Sequence, residues 1–295
     1  TRCLSDWSSD VCSSDLVGFH HQFLDPGVSE GYKALHALIT FGVFMPSMIT
    51  AFTVLASLET GGRARGGRGW LGWIVKLPWG NPAFTAQGLA MVLFALGGIS
   101  GLVNASYNLN LVVHNTMFVP GHFHLTVGTA VALSFMAVSY WLVPHLTGKP
   151  LWAPKLAVLQ SWLWFIGMAI MSRGMSWAGL MGVPRRTALG SAPYILPEWL
   201  TAFNWVAFGG AVLTISGVLY FLILIVTAAR AKRDGAEAPE APIAEPLHEE
   251  QLPSYLDRFR PWVVTAVVLI VIGYGPALIQ LISSSTAASP GFKPF

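Results

Sequence analysis

Eight histidines occur in the 295 residues, and His20, His21, His114, His122 and His124 fall into two short stretches, GFHHQF and VHNTMFVPGHFHLTVG. The second stretch, residues 113–128, is the sharper signal. Pro120 suits the first turn of a helix, where its missing N–H costs nothing. His122 and His124 then occupy the opening turns of that helix. At about 100° per residue, positions i and i+2 point about 200° apart. Two such imidazoles do not grip one ion from one face; they are placed to serve two partners on opposite sides of one helix. The plainer alternative is that both rings hydrogen-bond to neighbouring helices. His20 and His21 are adjacent and would diverge in a regular strand. They reach one metal only on irregular backbone, which is tolerated near a membrane where protein buries it. Neutral imidazole suits copper, iron or zinc, and the absence of thiolates beyond Cys12 argues against a zinc or iron–sulfur cage.

The elements that position these residues are set by hydropathy. Hydrophobic residues make up 54% of the chain and charged residues 11%, against about a quarter charged in soluble domains. A bilayer is crossed by about 20 mainly apolar residues. Six stretches qualify, at 32–58, 83–109, 119–144, 155–182, 199–228 and 261–284. The fold class is therefore all-α, a polytopic transmembrane helical bundle. Arg63, Arg65, Arg68 and Lys76, then Lys149 and Lys155, then Arg230, Lys232 and Arg233 lie in alternate loops. The positive-inside rule puts those loops on the cytoplasmic side. The outer side then holds 17–31, the 110–120 connection, the 183–198 loop and the C-terminus, and with them the five histidines. Arg185 and Arg186 also fall there, against the charge pattern. Arg173, about nine residues from the outer end of the fourth stretch, is read as an unexpected buried charge.

Ser47, Thr50 and Thr53 recur at i, i+3 and i+6 in the first stretch. They share an arc of about 120° over about 9 Å, so three hydroxyls line one face. Each could equally bond the carbonyl one turn back, as Ser and Thr do in spans. Residues 60–82 are Gly- and Arg-rich with Trp70, Trp73 and Trp79, suited to a piece lying at headgroup level. Residues 231–260 form an Ala/Glu/Pro linker, and 261–295 an additional span with an outer tail. At the other end, TRCLSDWSSDVCSSDL, residues 1–16, is Ser/Asp-rich, holds both cysteines and has no signal-peptide core. It resembles an in-frame translation of a sequencing-adapter oligonucleotide, which would make Val17 the first residue of the core, 17–230.

From Val17 onward the motifs resemble a known family. GHFH at 121–124, the HH of GFHHQF and VPRR at 183–186 are similar to the catalytic subunit I of haem–copper oxygen reductases. GFHHQFLDPG, the SLETGGRARGGRG loop, VVHNT…GHFHL and GYGP in the last stretch resemble its B family, the cytochrome ba3-like oxidases. The resemblance implies the second half of that subunit's fold. It implies that His20 and His21 ligate the active-site copper, His122 the high-spin haem iron and His124 the low-spin haem iron. Arg185 and Arg186 would hold haem propionates, for which guanidinium forks are suited. His114 would lie in the polar layer above the propionates, and Ser47, Thr50 and Thr53 in the proton path. Asn110 stands where a close relative's aspartate is expected. The remaining low-spin haem ligand, the third copper ligand and a copper-linked tyrosine would lie upstream of Val17.

The implied activity is that of a terminal respiratory oxidase, a cytochrome-c oxidase reducing O2 to water and translocating protons. Its cofactors would be two haems and one copper ion. Its partners would be a subunit II with binuclear copper, cytochrome c or a similar donor, O2 and membrane lipid, with no nucleic acid. Its place would be the prokaryotic plasma membrane, haem side outward. The alternatives are a nitric-oxide reductase of the same superfamily, or a non-redox transporter with proton-relay histidines.

Overall fold

The computed structural model describes residues 28–189, 192–230 and 258–283. His20, His21, both cysteines and most of the expected 231–260 linker lie outside the described residues. The elements run α1 (Glu30–Ala64), α2 (Gly72–Val75), α3 (Pro82–Ala105), α4 (Tyr107–Val113), α5 (Phe118–Leu125), a π-helical segment (Thr126–Val131), α6 (Ala132–Thr147), α7 (Pro154–Leu180), a 3-10 turn (Pro197–Trp199), α8 (Leu200–Ala229) and α9 (Phe259–Ser283). Among the described residues five helical runs are long and apolar enough to cross a membrane: Glu30–Ala64, Pro82–Ala105, Phe118–Thr147, Pro154–Leu180 and Pro197–Ala229. The sixth expected stretch is helical too, as α9, with an apolar run over Arg260–Pro276. It belongs to a second unit of the chain.

Local sequence explains where these helices start and stop. Asn81 caps α3 by accepting a hydrogen bond from the Phe84 amide at 3.2 Å, and Pro82 opens the helix. Pro154 opens α7 in the same way. Gly148 ends α6 in the left-handed region, φ 61°, a conformation that costs glycine nothing. The second stretch ends earlier than its hydropathy suggests. The apolar run to 109 is broken at Ser106, extended at φ −72°, ψ 120°, and a separate helix α4 follows. The cause is polar: the buried Asn110 side chain donates to the Asn104 carbonyl at 2.7 Å, satisfying a carbonyl at the α3 end.

Lipid tails are as apolar as leucine, so spans associate through close packing and interhelical hydrogen bonds. Both operate here. A methyl group on Gly209 would sit 2.5 Å from the Met171 backbone nitrogen, so α7 and α8 touch backbone to backbone. Toward the end that carries Lys149 and Arg230, Tyr140, Gln160 and Ser216 join α6, α7 and α8 through fully or nearly fully buried polar groups. The Tyr140 hydroxyl donates to Gln160 Oε1 at 2.6 Å, and Gln160 Nε2 donates to Ser216 Oγ at 2.9 Å. At that same end the Lys149 ammonium caps α8 at the Ala228 carbonyl, and Arg230 lies over the Trp152 ring at 5.6 Å. The basic residues following α6 and α8 therefore share one end of the bundle.

Candidate metal centre

At the opposite end, α5 begins at Phe118, so Pro120 falls in its first turn, as expected from the sequence. His122 and His124 both sit on regular α-helix, which keeps their directions about 200° apart. The helix widens to π geometry immediately after, over Thr126–Val131. There Thr129 Oγ1 donates to the His124 carbonyl at 2.8 Å, and Thr126 Oγ1 to the His122 carbonyl at 3.2 Å. Single π turns of this kind gather at functional sites. Gly121, immediately before the first of the two histidines, lies against α7: Ser172 Oγ donates to its carbonyl at 2.6 Å.

The two rings meet different surroundings. His122 lies against α3, with Nδ1 3.0 Å from the Gly97 carbonyl and 2.9 Å from Ser100 Oγ. A methyl group on Gly101 would approach its Cε1 to 3.2 Å, so a residue without a side chain makes room for this ring. His124 turns back on its own helix and places Nδ1 2.7 Å from the Pro120 carbonyl. A carbonyl oxygen can only accept, so each Nδ1 carries the proton and each Nε2 lone pair is left free. Neither Nε2 has a hydrogen-bond partner among the described residues. That is the tautomer a metal-ligating histidine requires, with its second nitrogen tied to a carbonyl. Among the described residues no three His, Cys, Asp or Glu side chains cluster around one point. The donor set thus suits two separately held groups, each taking one imidazole, and fits haem irons.

The basic and polar residues of this end are brought together by the backbone. The loop after α4 and the loop after α7 pair as an isolated antiparallel bridge, Thr116 with Pro184. Met117 N–H donates to Val183 O at 2.9 Å and Arg185 N–H to Asn115 O at 2.7 Å. Asn115 (φ 56°) and Arg186 (φ 68°) adopt left-handed backbone beside that bridge, a conformation that asparagine tolerates and that is uncommon for arginine. His114 accordingly shares this platform with Arg185 and Arg186. Its Nδ1 lies 3.1 Å from Asn110 Oδ1. Partial burial, and secondarily the Arg185 charge, hold its pKa below the usual histidine value. Arg185 is half-buried and Arg186 exposed.

Arg173 differs from expectation. It is not a buried charge but lies on an exposed face of α7, its guanidinium 5.8 Å from the Trp177 ring centre. On α1, Ser47 is half-buried while Thr50 and Thr53 are exposed, and Thr53 Oγ1 donates to the Ile49 carbonyl at 2.9 Å. Sequence reading missed Gly97, Ser100 and Asn104. Asn104 Nδ2 donates to the Ser100 carbonyl at 3.1 Å, so these residues and Asn110 run as one polar thread from His122 to His114.

The described residues thus form a polytopic helical membrane bundle that presents two diverging imidazoles from one helix, with an arginine platform beside them. The family profile of cytochrome c and quinol oxidase polypeptide I matches residues 8–235. The chain belongs to that family. It is 46% identical over 275 residues to the cytochrome c oxidase subunit 1 of Thermus thermophilus, covering 91% of this chain and 49% of that protein. It is 31% identical to the Corynebacterium diphtheriae cytochrome c oxidase subunit 1, over 59% of this chain and 29% of that protein. A cryo-EM structure of a heme-copper terminal oxidase dimer superposes with a TM-score of 0.72 at 42% identity, over 88% of this chain and 47% of that one. The chain thus spans about half the length of the relatives it matches.

Proposed function

We propose that this chain is the C-terminal half of the catalytic subunit of a B-type terminal respiratory oxidase. The full protein reduces O2 to water with electrons from cytochrome c or a similar donor, delivered through a subunit II with binuclear copper, and translocates protons. The observation that carries this reading is the placing of His122 and His124: each ring has Nδ1 against a carbonyl, at 3.0 Å and 2.7 Å, and Nε2 open, on diverging faces of α5.

On this reading His122 holds the high-spin haem, His124 the low-spin haem, and His20 and His21 contribute to the copper site. When bound, these groups supply the one-electron and oxygen chemistry, which side chains alone do not. The chain's own residues orient the ligands and set their donor strength. Arg185 and Arg186 suit paired carboxylates such as propionates, and His114 lies in the polar layer beside them. Ser47, Thr50 and Thr53 line a proton entry from the basic end of the bundle, a role supported by their shared register on α1. On this reading that end faces the cytoplasm across a prokaryotic plasma membrane, an orientation supported by the basic loops. Drawing protons from inside toward a centre near the outer side charges the membrane, at about 2.3 kcal/mol per charge per 100 mV.

The test is the reduced-minus-oxidised optical spectrum of the full-length gene product in membranes, with O2 uptake driven by reduced cytochrome c. Haem Soret and alpha bands with donor-dependent uptake are expected. Membranes containing the protein but showing no haem bands would overturn the reading in favour of a non-redox transporter.

A further inference from the structure

We propose that Ser100 is a positioning residue for His122, sharing the imidazole Nδ1–H with the Gly97 carbonyl and thereby setting how strongly Nε2 donates to iron. The inference rests on the haem-ligand reading of His122 and adds a residue of a different span to it. Three atoms form a closed triangle: Ser100 Oγ lies 2.7 Å from Gly97 O, His122 Nδ1 lies 3.0 Å from Gly97 O, and Ser100 Oγ lies 2.9 Å from His122 Nδ1.

Proton counting gives the triangle one arrangement. Gly97 O accepts only, and a bare Nδ1 lone pair facing it at this distance would be repelled, so Nδ1 carries hydrogen. The serine hydroxyl then has no acceptor at Nδ1 and sends its single proton to Gly97 O. Its own lone pairs face the ring. Ser100 therefore acts twice: it accepts part of the Nδ1–H, and it occupies the carbonyl that would otherwise take all of it. Both actions weaken the pull of Gly97 O on the imidazole proton. Since a carbonyl tied to Nδ1–H raises the basicity of the opposite nitrogen, Ser100 tempers Nε2 as a ligand. Ser100 lies a helical turn from Gly97 and 22 residues from His122 in sequence, so the relation appears only once α3 and α5 are packed.

Resonance Raman of the dithionite-reduced full-length oxidase tests this through the iron–histidine stretching band of the high-spin haem. Ser100→Ala is expected to move the band to higher frequency at undiminished haem content, because Nδ1–H then turns wholly onto Gly97 O. Ser100→Thr, which keeps the hydroxyl, is expected to hold the wild-type frequency. An unmoved or lowered band in Ser100→Ala, or an equal displacement in both variants, would overturn the proposal. Solid-state 15N NMR of histidine-labelled chain in membranes reads the same triangle without iron. It should show His122 protonated at Nδ1, with that nitrogen's shift altered in Ser100→Ala. An Nε2-protonated ring, or no change in the variant, would also overturn it. Absence of haem from the wild type would instead count against the oxidase reading, leaving the NMR result to decide the triangle.

Discussion

Gln160 and His122 are both polar side chains within an apolar bundle, yet the protein closes one and leaves the other open. Gln160 has its carbonyl matched by the Tyr140 hydroxyl, its amide by Ser216 and the Met136 sulfur, and its backbone carbonyl by the Ser216 hydroxyl. Nothing remains for an outside group to take. His122 is held just as firmly on one side, by Gly97 and Ser100, but presents a free Nε2. His124 repeats the arrangement through Pro120. Burial and polarity alone therefore do not distinguish a structural group from a ligand; the distinction lies in which valence the fold leaves unfilled.

The largest effect that can break this comparison comes from removing the open side chains. In the full-length oxidase His122→Ala and His124→Ala should each abolish the bands of one haem and spare the other. His145→Ala is the control, since that ring stacks on Trp141 at 5.5 Å, and it should keep both sets. Loss of the same haem in both variants would end the two-partner reading of the helix. A smaller effect is expected at the closed group. Gln160→Leu leaves the Tyr140 hydroxyl without its acceptor, while Ser216 keeps its bond to the residue 160 backbone carbonyl; the expected cost is about 1–3 kcal/mol of stability, with haem band positions fixed. Adding Tyr140→Phe should recover part of the loss, with a coupling of about 0.6 and at most about 1.7 kcal/mol. Thermal unfolding of the membrane-extracted protein measures both. A Gln160→Leu variant of unchanged stability but displaced haem bands would reverse the assignment of roles.

Gly101 tests how closely the open ring is held. The methyl of Gly101→Ala would lie 3.2 Å from His122 Cε1, so the ring must yield by a few tenths of an ångström. The expected result is a small displacement of the high-spin haem spectrum, with a fall in haem affinity below the about tenfold seen on losing a supporting partner outright. A spectrum identical to wild type would mean that the ring is less constrained than the packing of α3 on α5 requires.

What was legible in the sequence follows the same division. The H-x-H at a helix start and the apolar runs are local patterns that reappear in the fold, and the basic residues following α6 and α8 come to one end of the bundle. The break at Ser106 was hidden because hydropathy continues through it; the determinant is one asparagine side chain reaching a carbonyl six residues back. The π segment after His124 has no signature in TVGTAV: the Thr126 bond four residues back is ordinary for a helix, and only Thr129, reaching five residues back to His124, departs from that spacing. Arg173 looked buried because a run of apolar neighbours carries no information about which face of the helix is covered. Ser100 and Gly97 carry no local pattern that sets them apart on the span, and only the packing of α3 against α5 makes them partners of His122.

The smallest expected effect concerns His114, which joins the two halves of the comparison because it is polar, half-buried and near a fixed charge. Its pKa lies below the ordinary value of about 6.5, first through desolvation and then through Arg185. A histidine shifted in this direction stays neutral in the folded protein while the unfolded chain takes up a proton. Stability is therefore fully present above the ordinary value and declines as pH falls from there toward the lowered folded value. Arg185→Ala should raise the His114 pKa only part of the way back, since desolvation is the larger cause and remains. A pH titration of the 15N-labelled imidazole in both proteins measures this. Full restoration would assign the shift to charge alone, and a further decrease would mean that the Arg185 side chain favours the protonated ring rather than opposing its charge.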